Sequence, residues 1–149
     1  MFKVSKKITY AIEAVIDIAF YSGIKPVQNI EIANRQGIPK RYLEQTLQSL
    51  VKNNILVGSR GPKGGYRLAR ERRKIKISEI IESVDKQAEE NAPKSMISEI
   101  SKKVINPMIY NVYQESFEKF QKISVEDICM MARKKNIQKT KKERNDFVI

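Results

Sequence analysis

The segment RGPKGGYRLAR, residues 60–70, constrains the chain more tightly than any other stretch. It packs three glycines, one proline and four basic residues into eleven positions. Apolar-rich runs flank its turn, ILVGS before and YRLAR after, which predicts a β-hairpin. Tyr66 and Leu68 fall on one face of the second strand, Arg67 and Ala69 on the other. The tip carries Arg60 and Lys63, with Arg67 and Arg70 near it. Gly61, Gly64 and Gly65 allow a backbone with positive φ that can approach a phosphate or a narrow minor groove. A nucleotide loop is excluded, because GPKGG matches neither G-x-x-x-x-G-K-[ST] nor G-x-G-x-x-G and leads into a strand.

Three helices are predicted ahead of the hairpin. Ser5 is a good N-cap, and Ile8, Ala11, Ile12, Val15, Ile16 and Ala19 then recur at helical spacing up to Gly23. A short helix follows over Asn29–Gln36, with Ile30, Ile32 and Ala33 inward and Gly37 as its stop. A third begins with Pro39 in its first turn and places Leu43, Leu47, Leu50 and Val51 on one stripe. Two short helices joined by a glycine-containing turn form a helix-turn-helix, whose second helix enters the DNA major groove. Lys40, Arg41, Tyr42, Glu44 and Gln45 are the residues so presented. Arg pairs with guanine, Gln with adenine, and Glu accepts from the cytosine amine. A merely solvated helix face has the same polarity, so the hairpin that follows, a wing, decides the reading.

Charge is segregated along the chain. Its 29 basic and 17 acidic residues leave a formal charge of +12, and residues 1–76 alone hold +11. Residues 77–132 sum to −4, and 133–149 to +5. A basic half joined to an acidic half implies that one half meets a polyanion, double-stranded DNA. The 149 residues make one domain or one domain with an extension, and 41% apolar content supports a core. No apolar run reaches transmembrane length, and Glu13 and Asp17 interrupt the first apolar segment as in an amphipathic helix rather than a signal peptide. One cysteine and no histidine exclude a disulfide framework, a zinc finger and a His-based triad. Cysteine usage and the lack of a targeting segment point to a cytoplasmic protein without membrane contact.

After the wing, Ser78 can cap a helix with Ile80, Ile81 and Val84 inward. Residues 86–105 are polar and weakly patterned, and are expected to be a linker or loop. Asn106 then Pro107 read as the start of a long helix carrying Ile109, Val112, Tyr113, Phe117 and Phe120. These five are the expected dimerisation residues, since DNA readers pair to match two-fold half-sites. Ser124 with Asp127 predicts a capped final helix, and 133–149 is expected to be a basic, disordered tail. The expected organisation is therefore a winged helix-turn-helix domain (1–85), a linker (86–105), a dimerisation helix with a short packing helix (106–132), and the tail. The fold class is mainly α with a small β-hairpin wing (α+β).

The stretches YAIEAVIDIAFY, IANRQGIPKRYLEQTLQSLVKNNIL and RGPKGGYRLAR together resemble the Rrf-two family of bacterial transcription regulators. The resemblance covers residues 4–85 well and INPMIYNVYQESFEKFQKISVEDI more loosely. It implies a homodimer that reads a palindromic operator, with Tyr42 and Glu44 meeting bases and Arg60 at the wing tip entering the minor groove. Iron–sulfur members of the family carry three cysteines between the winged domain and the dimerisation helix. Residues 86–105 contain none, so no cluster and no other cofactor or metal is expected. Cys129 is expected to be a small core residue. The signal then has to come from a small-molecule effector or a partner protein such as an enzyme.

The expected function is a sequence-specific DNA-binding transcriptional regulator, most simply a repressor. The alternative is a protein-interaction regulator that docks an enzyme or another regulator with weak or no specific DNA binding. The basic wing favours the first. An enzyme is not expected, because no motif has catalytic spacing.

Overall fold

The computed structural model describes residues 4–85 and 98–137. In chain order these form α1 (Lys6–Tyr21), α2 (Asn29–Gln36), α3 (Lys40–Lys52), β1 (Leu56–Ser59), β2 (Gly65–Leu68), α4 (Ile77–Asp85), α5 (Asn106–Gln121) and α6 (Val125–Lys134).

Helix α1 is central. The Ser5 hydroxyl accepts from the Ile8 N–H at 3.4 Å and closes its first turn. Ala11, Ala14, Val15 and Ile18 are wholly buried, and the helix touches α2, α3, α4, α6 and β2. Each fully buried branched side chain there contributes about 1.5–3 kcal/mol. Gly37 ends α2 in the left-handed conformation at φ 67°, where a residue without Cβ is favoured. Pro39 lies one position outside α3, with ψ 129°, and not in its first turn as expected. Leu43, Thr46, Leu47 and Leu50 face the core. Ile32 is buried as expected, but Ile30 is 45% exposed.

The hairpin pairs β1 with β2 antiparallel, from Leu56 opposite Leu68 to Ser59 opposite Gly65. A third partner extends it. The Val27 N–H donates to Tyr66 O at 3.0 Å, and the Tyr66 N–H returns to Val27 O at 2.7 Å. The wing is thereby stitched to the residues that lead into α2.

Helix α4 begins at Ile77, two residues earlier than a Ser78 cap would give. Ser78 sits inside it and is buried, while the Glu79 carboxylate accepts from the Lys76 N–H at 2.8 Å. The expected linker is corrected over its second half. From Glu99 the backbone is already helical, passes through a π turn at Ser101–Ile105, and continues into α5 without a side-chain N-cap. Proline lacks a backbone donor and its ring crowds the preceding turn. The wider turn just before Pro107, in which the Asn106 N–H reaches Ser101 O, accommodates it. Residues 86–97 of that expected linker lie outside the described residues.

Helix α6 is not a separate packing unit. The Val125 N–H donates to Ile75 O and the Ile77 N–H to Ile123 O, both at 2.9 Å, so α6 starts where α4 starts. Val125 and Cys129 then join the same core as α1. The predicted capping box is present, with Asp127 N–H to Ser124 Oγ at 3.1 Å and Ser124 N–H to Asp127 Oδ2 at 2.8 Å. Those bonds from Ser124 hold the Asp127 carboxyl below its ordinary range. The helix runs to Lys134, two residues into the expected tail, and residues 138–149 lie outside the described residues.

Candidate nucleic-acid interface

Lys40, Arg41, Tyr42, Glu44 and Gln45 are all exposed on α3. The alternation with buried Leu43, Thr46 and Leu47 sets this face. The core stripe fixes the helix rotation, and the polar residues follow. Thr46 donates from its hydroxyl to Tyr42 O at 2.8 Å, which satisfies the hydroxyl of this nearly buried threonine. The Tyr42 ring stands 6.4 Å from that of Tyr10 on α1. That contact brings the first turns of α1 beside those of α3. Lys6 and Lys7, four and three residues before Tyr10, are exposed and extend the basic surface. Sequence reading passed them over, because nothing in a helical pattern says which helix N-termini will meet.

The wing tip presents exposed Arg60 and Lys63. Its turn is closed by the Gly64 N–H donating to Gly61 O at 2.9 Å. The side-chain amide of Gln28 reaches Pro62 O at 3.3 Å and ties the tip toward α2. Between wing, α2 and α3 lies an open groove of about 660 Å3, lined by Asn29, Gln48, Lys52, Ser59 and Arg60 among others. Gln48 and Lys52 stand four and eight residues after Glu44, so helical spacing alone places them on the same side. Asn29 had no such signal.

The glycines divide by cause. Gly61 has φ 98° with open space around it, so the turn conformation is what requires it. Gly65 has φ 152°, and a Cβ there would lie 2.5 Å from Val27 O. A Cβ on Gly64 would collide with Ser59 O. These two were expected to permit approach to a ligand. They permit the close approach of the chain to itself.

Arg67 is also differently employed from the expected DNA contact. Its Nη1 donates to Gly23 O at 2.6 Å and its Nη2 to Ile24 O at 2.5 Å, both in the connection after α1. Arg70 turns to α4, donating to Glu79 Oε1 at 2.8 Å and Lys74 O at 3.1 Å.

The five residues expected on a dimer face separate. Ile109 and Val112 are about half exposed, in line with Ile100, Val104 and Met108. Tyr113 is also half exposed, but its hydroxyl donates to Asp85 Oδ2 at 3.3 Å and its ring stacks on Phe117 at 6.2 Å. Phe117 and Phe120 are half-buried against the core of their own chain. Cys129 is fully buried, and burial pushes its thiol up from the ordinary value against the opposing pull of Arg72.

Among the described residues no helix is long and apolar enough to cross a membrane. Comparison with known proteins matches residues 4–131 to the family described as Rrf2, iron-dependent transcriptional regulator. The HTH-type transcriptional regulator IscR of Sodalis glossinidius is 39% identical over 87 residues, 58% of this chain and 53% of that one. The chain thus matches about half the length of such curated relatives. Over its whole fold it is similar to T. potens IscR, with a TM-score of 0.69 and 31% identity across 94% of this chain and 93% of that one. The structure of CymR, the global cysteine regulator of B. subtilis, gives a TM-score of 0.65 and 25% identity across 88% and 98% of the two chains. A winged helix-turn-helix with its long following helix, matched over residues 4–131, therefore places this chain in the Rrf2 family of transcriptional regulators.

Proposed function

We propose that the chain is a DNA-binding transcriptional regulator that acts as a homodimer on a palindromic operator and represses from it. The observation that carries this is the shared groove. Gln48 and Lys52, in the second half of the recognition helix, and the wing residue Arg60 border one concave surface. Lys40, Arg41, Tyr42, Glu44 and Gln45 are exposed outside that lining, on the preceding turns of the same helix. Such an arrangement suits a major groove and the adjoining minor groove together. The dimer reading is supported by Ile109 and Val112, apolar side chains that stay about half exposed among the described residues.

The residues present do not fit an iron–sulfur cluster. Such clusters take mostly thiolate ligands. The chain has one cysteine and no histidine, and that cysteine is sealed in the core on α6. The regulator works without a cluster in this proposal, and its DNA affinity responds to a small molecule or a partner protein.

The test is selection of genomic fragments on the purified full chain at near-physiological salt, followed by sequencing. An enriched two-fold motif with half-sites about one helical turn apart is expected. Enrichment that follows charge alone, with no motif, would refute operator reading.

A further inference from the structure

We infer that Arg67 is a positioning residue for DNA reading: it anchors the wing to the α1–α2 connection and so sets the angle at which Arg60 is delivered. This rests on the reading of the wing as a DNA contact given above.

A hairpin of two four-residue strands has little stability of its own. Here it is held at three points along one side. Tyr66 exchanges two backbone hydrogen bonds with Val27. The next residue, Arg67, spans two consecutive carbonyls, Gly23 O and Ile24 O. Gln28 reaches Pro62 O near the tip. All three partners belong to the chain between α1 and α2, the segment that also sets where α2 begins. Wing and helix-turn-helix are thus fastened through a common strap.

The chemistry of the Arg67 contact suits a clamp. A guanidinium presents a planar fork of donors, and charge-assisted bonds to carbonyls are stronger than neutral ones. Both terminal nitrogens already donate to the protein's own backbone, which fixes where the guanidinium lies. Arg60 lies at the opposite end of the hairpin, just past the last paired residue Ser59, so a small tilt at Arg67 becomes a larger displacement at the tip. Lysine has no planar fork, so its ammonium cannot hold both carbonyls in the same rigid geometry.

The experiment is a double-mutant cycle on the full chain with an operator duplex from the genomic selection. Arg60→Ala is measured in the parent protein, in Arg67→Ala and in Arg67→Lys. Amide hydrogen exchange is followed at Val27 and Tyr66. In the parent, Arg60→Ala is expected to weaken binding on the order of tenfold, the scale of one charge-assisted contact. In Arg67→Ala that loss shrinks to about twofold, because the tip is no longer delivered to its groove. Arg67→Ala itself weakens binding, and Arg67→Lys does the same to a smaller extent. The Val27 and Tyr66 amides exchange faster in both variants while those of α1 stay protected.

Additive losses would make Arg67 a contact independent of the tip and overturn the inference. Full rescue by lysine would overturn it as well, leaving only a charge effect. If Arg60→Ala changes nothing in any background, the DNA reading of the wing fails. The exchange data then decide the clamp: unchanged protection at Val27 and Tyr66 overturns it too. If Arg67→Ala does not fold, the Arg67→Lys arm carries the same comparisons.

Discussion

Arg35 holds Asp17 through two parallel hydrogen bonds, its Nε and Nη2 each 2.9 Å from a different carboxylate oxygen. The Gln36 amide adds a third at 2.8 Å. Asp17 is 1% exposed in the middle of α1, and Arg35 also covers the Tyr21 ring at 3.9 Å from its centroid. This cluster joins α1 to the end of α2 and fixes the platform from which α3 projects. Removing the carboxylate leaves a half-buried guanidinium without its counter-charge. Asp17→Ala is expected to destabilise the fold by about 3 kcal/mol. Urea unfolding monitored by circular dichroism measures it, and a loss below about 1 kcal/mol would mean that water replaces the carboxylate freely.

Gly65 gives a second stability test. A methyl group there meets Val27 O at the rung where the wing joins the α2 entry, and φ 152° is rarely adopted by other residues. Gly65→Ala should cost about 2 kcal/mol. Gly61→Ala lacks the steric conflict and bears only the φ penalty, so it should cost about 1 kcal/mol. Equal losses at the two sites would remove the crowding explanation.

Lys63 and Arg60 should differ in kind when DNA binding is measured against salt. Lys63 is an exposed tip residue suited to a phosphate. Lys63→Ala is expected to weaken binding to all sequences and to reduce the slope of log K against log salt by about 1. Arg60→Ala should instead soften an A·T preference beside the half-site. Fluorescence anisotropy on paired duplexes separates the two, and identical behaviour would count against distinct roles.

The apolar stripe of α5 makes a prediction about assembly. Ile109→Glu combined with Val112→Glu places carboxylates on the exposed face without touching the core. The variant is expected to be a folded monomer by sedimentation and to bind a full operator at least about a hundredfold more weakly, since half-sites are then engaged separately. An unchanged sedimentation coefficient would locate dimerisation elsewhere.

Cys129 should be nearly inert in the folded protein. Its side chain is fully buried and its thiol is pushed up, so the reactive thiolate is scarce and inaccessible. Reaction with a disulfide reagent near neutral pH should be about a hundredfold slower than in urea. The sign of the linkage follows. The native state keeps its proton to higher pH than the unfolded chain, so stability is full below the unfolded thiol value of about 8.5 and declines as pH rises toward the native one. Fast native reaction would place the thiol at the surface.

The sequence was legible where local chemistry and periodicity agreed. Ser5, Gly37 and the Ser124–Asp127 pair mark helix ends by their own side chains or lack of one, and each does so in the structure. The exposed face of α3 was legible because the leucine stripe opposite it sets the rotation. Non-local contacts were not. Arg67 reads as a surface charge until the chain after α1 folds beneath it. Gly64 and Gly65 carry the same letter as Gly61, and only the approach of Ser59 and Val27 shows why they differ. Pro107 misled, because an Asn–Pro pair is a good helix start and a π turn leaves no mark that hydrophobic period can detect. The attachment of α6 to the main core depends on backbone pairing with Ile75 and Ile77, which side-chain patterns do not encode.

The π turn at Ser101–Ile105 acts on the long helix as a phase adjuster. It holds one residue more per turn than its surroundings, so it rotates Ile100 and Val104 relative to Ile109 and Val112 without breaking the rod. Deleting a single residue within 101–105 would swing the two halves of the stripe about 100° apart. Length, and not only composition, is therefore under constraint in this short stretch. A variant shortened by Ser101 keeps every apolar side chain and every charge, yet presents them on two diverging lines that no straight partner helix can follow.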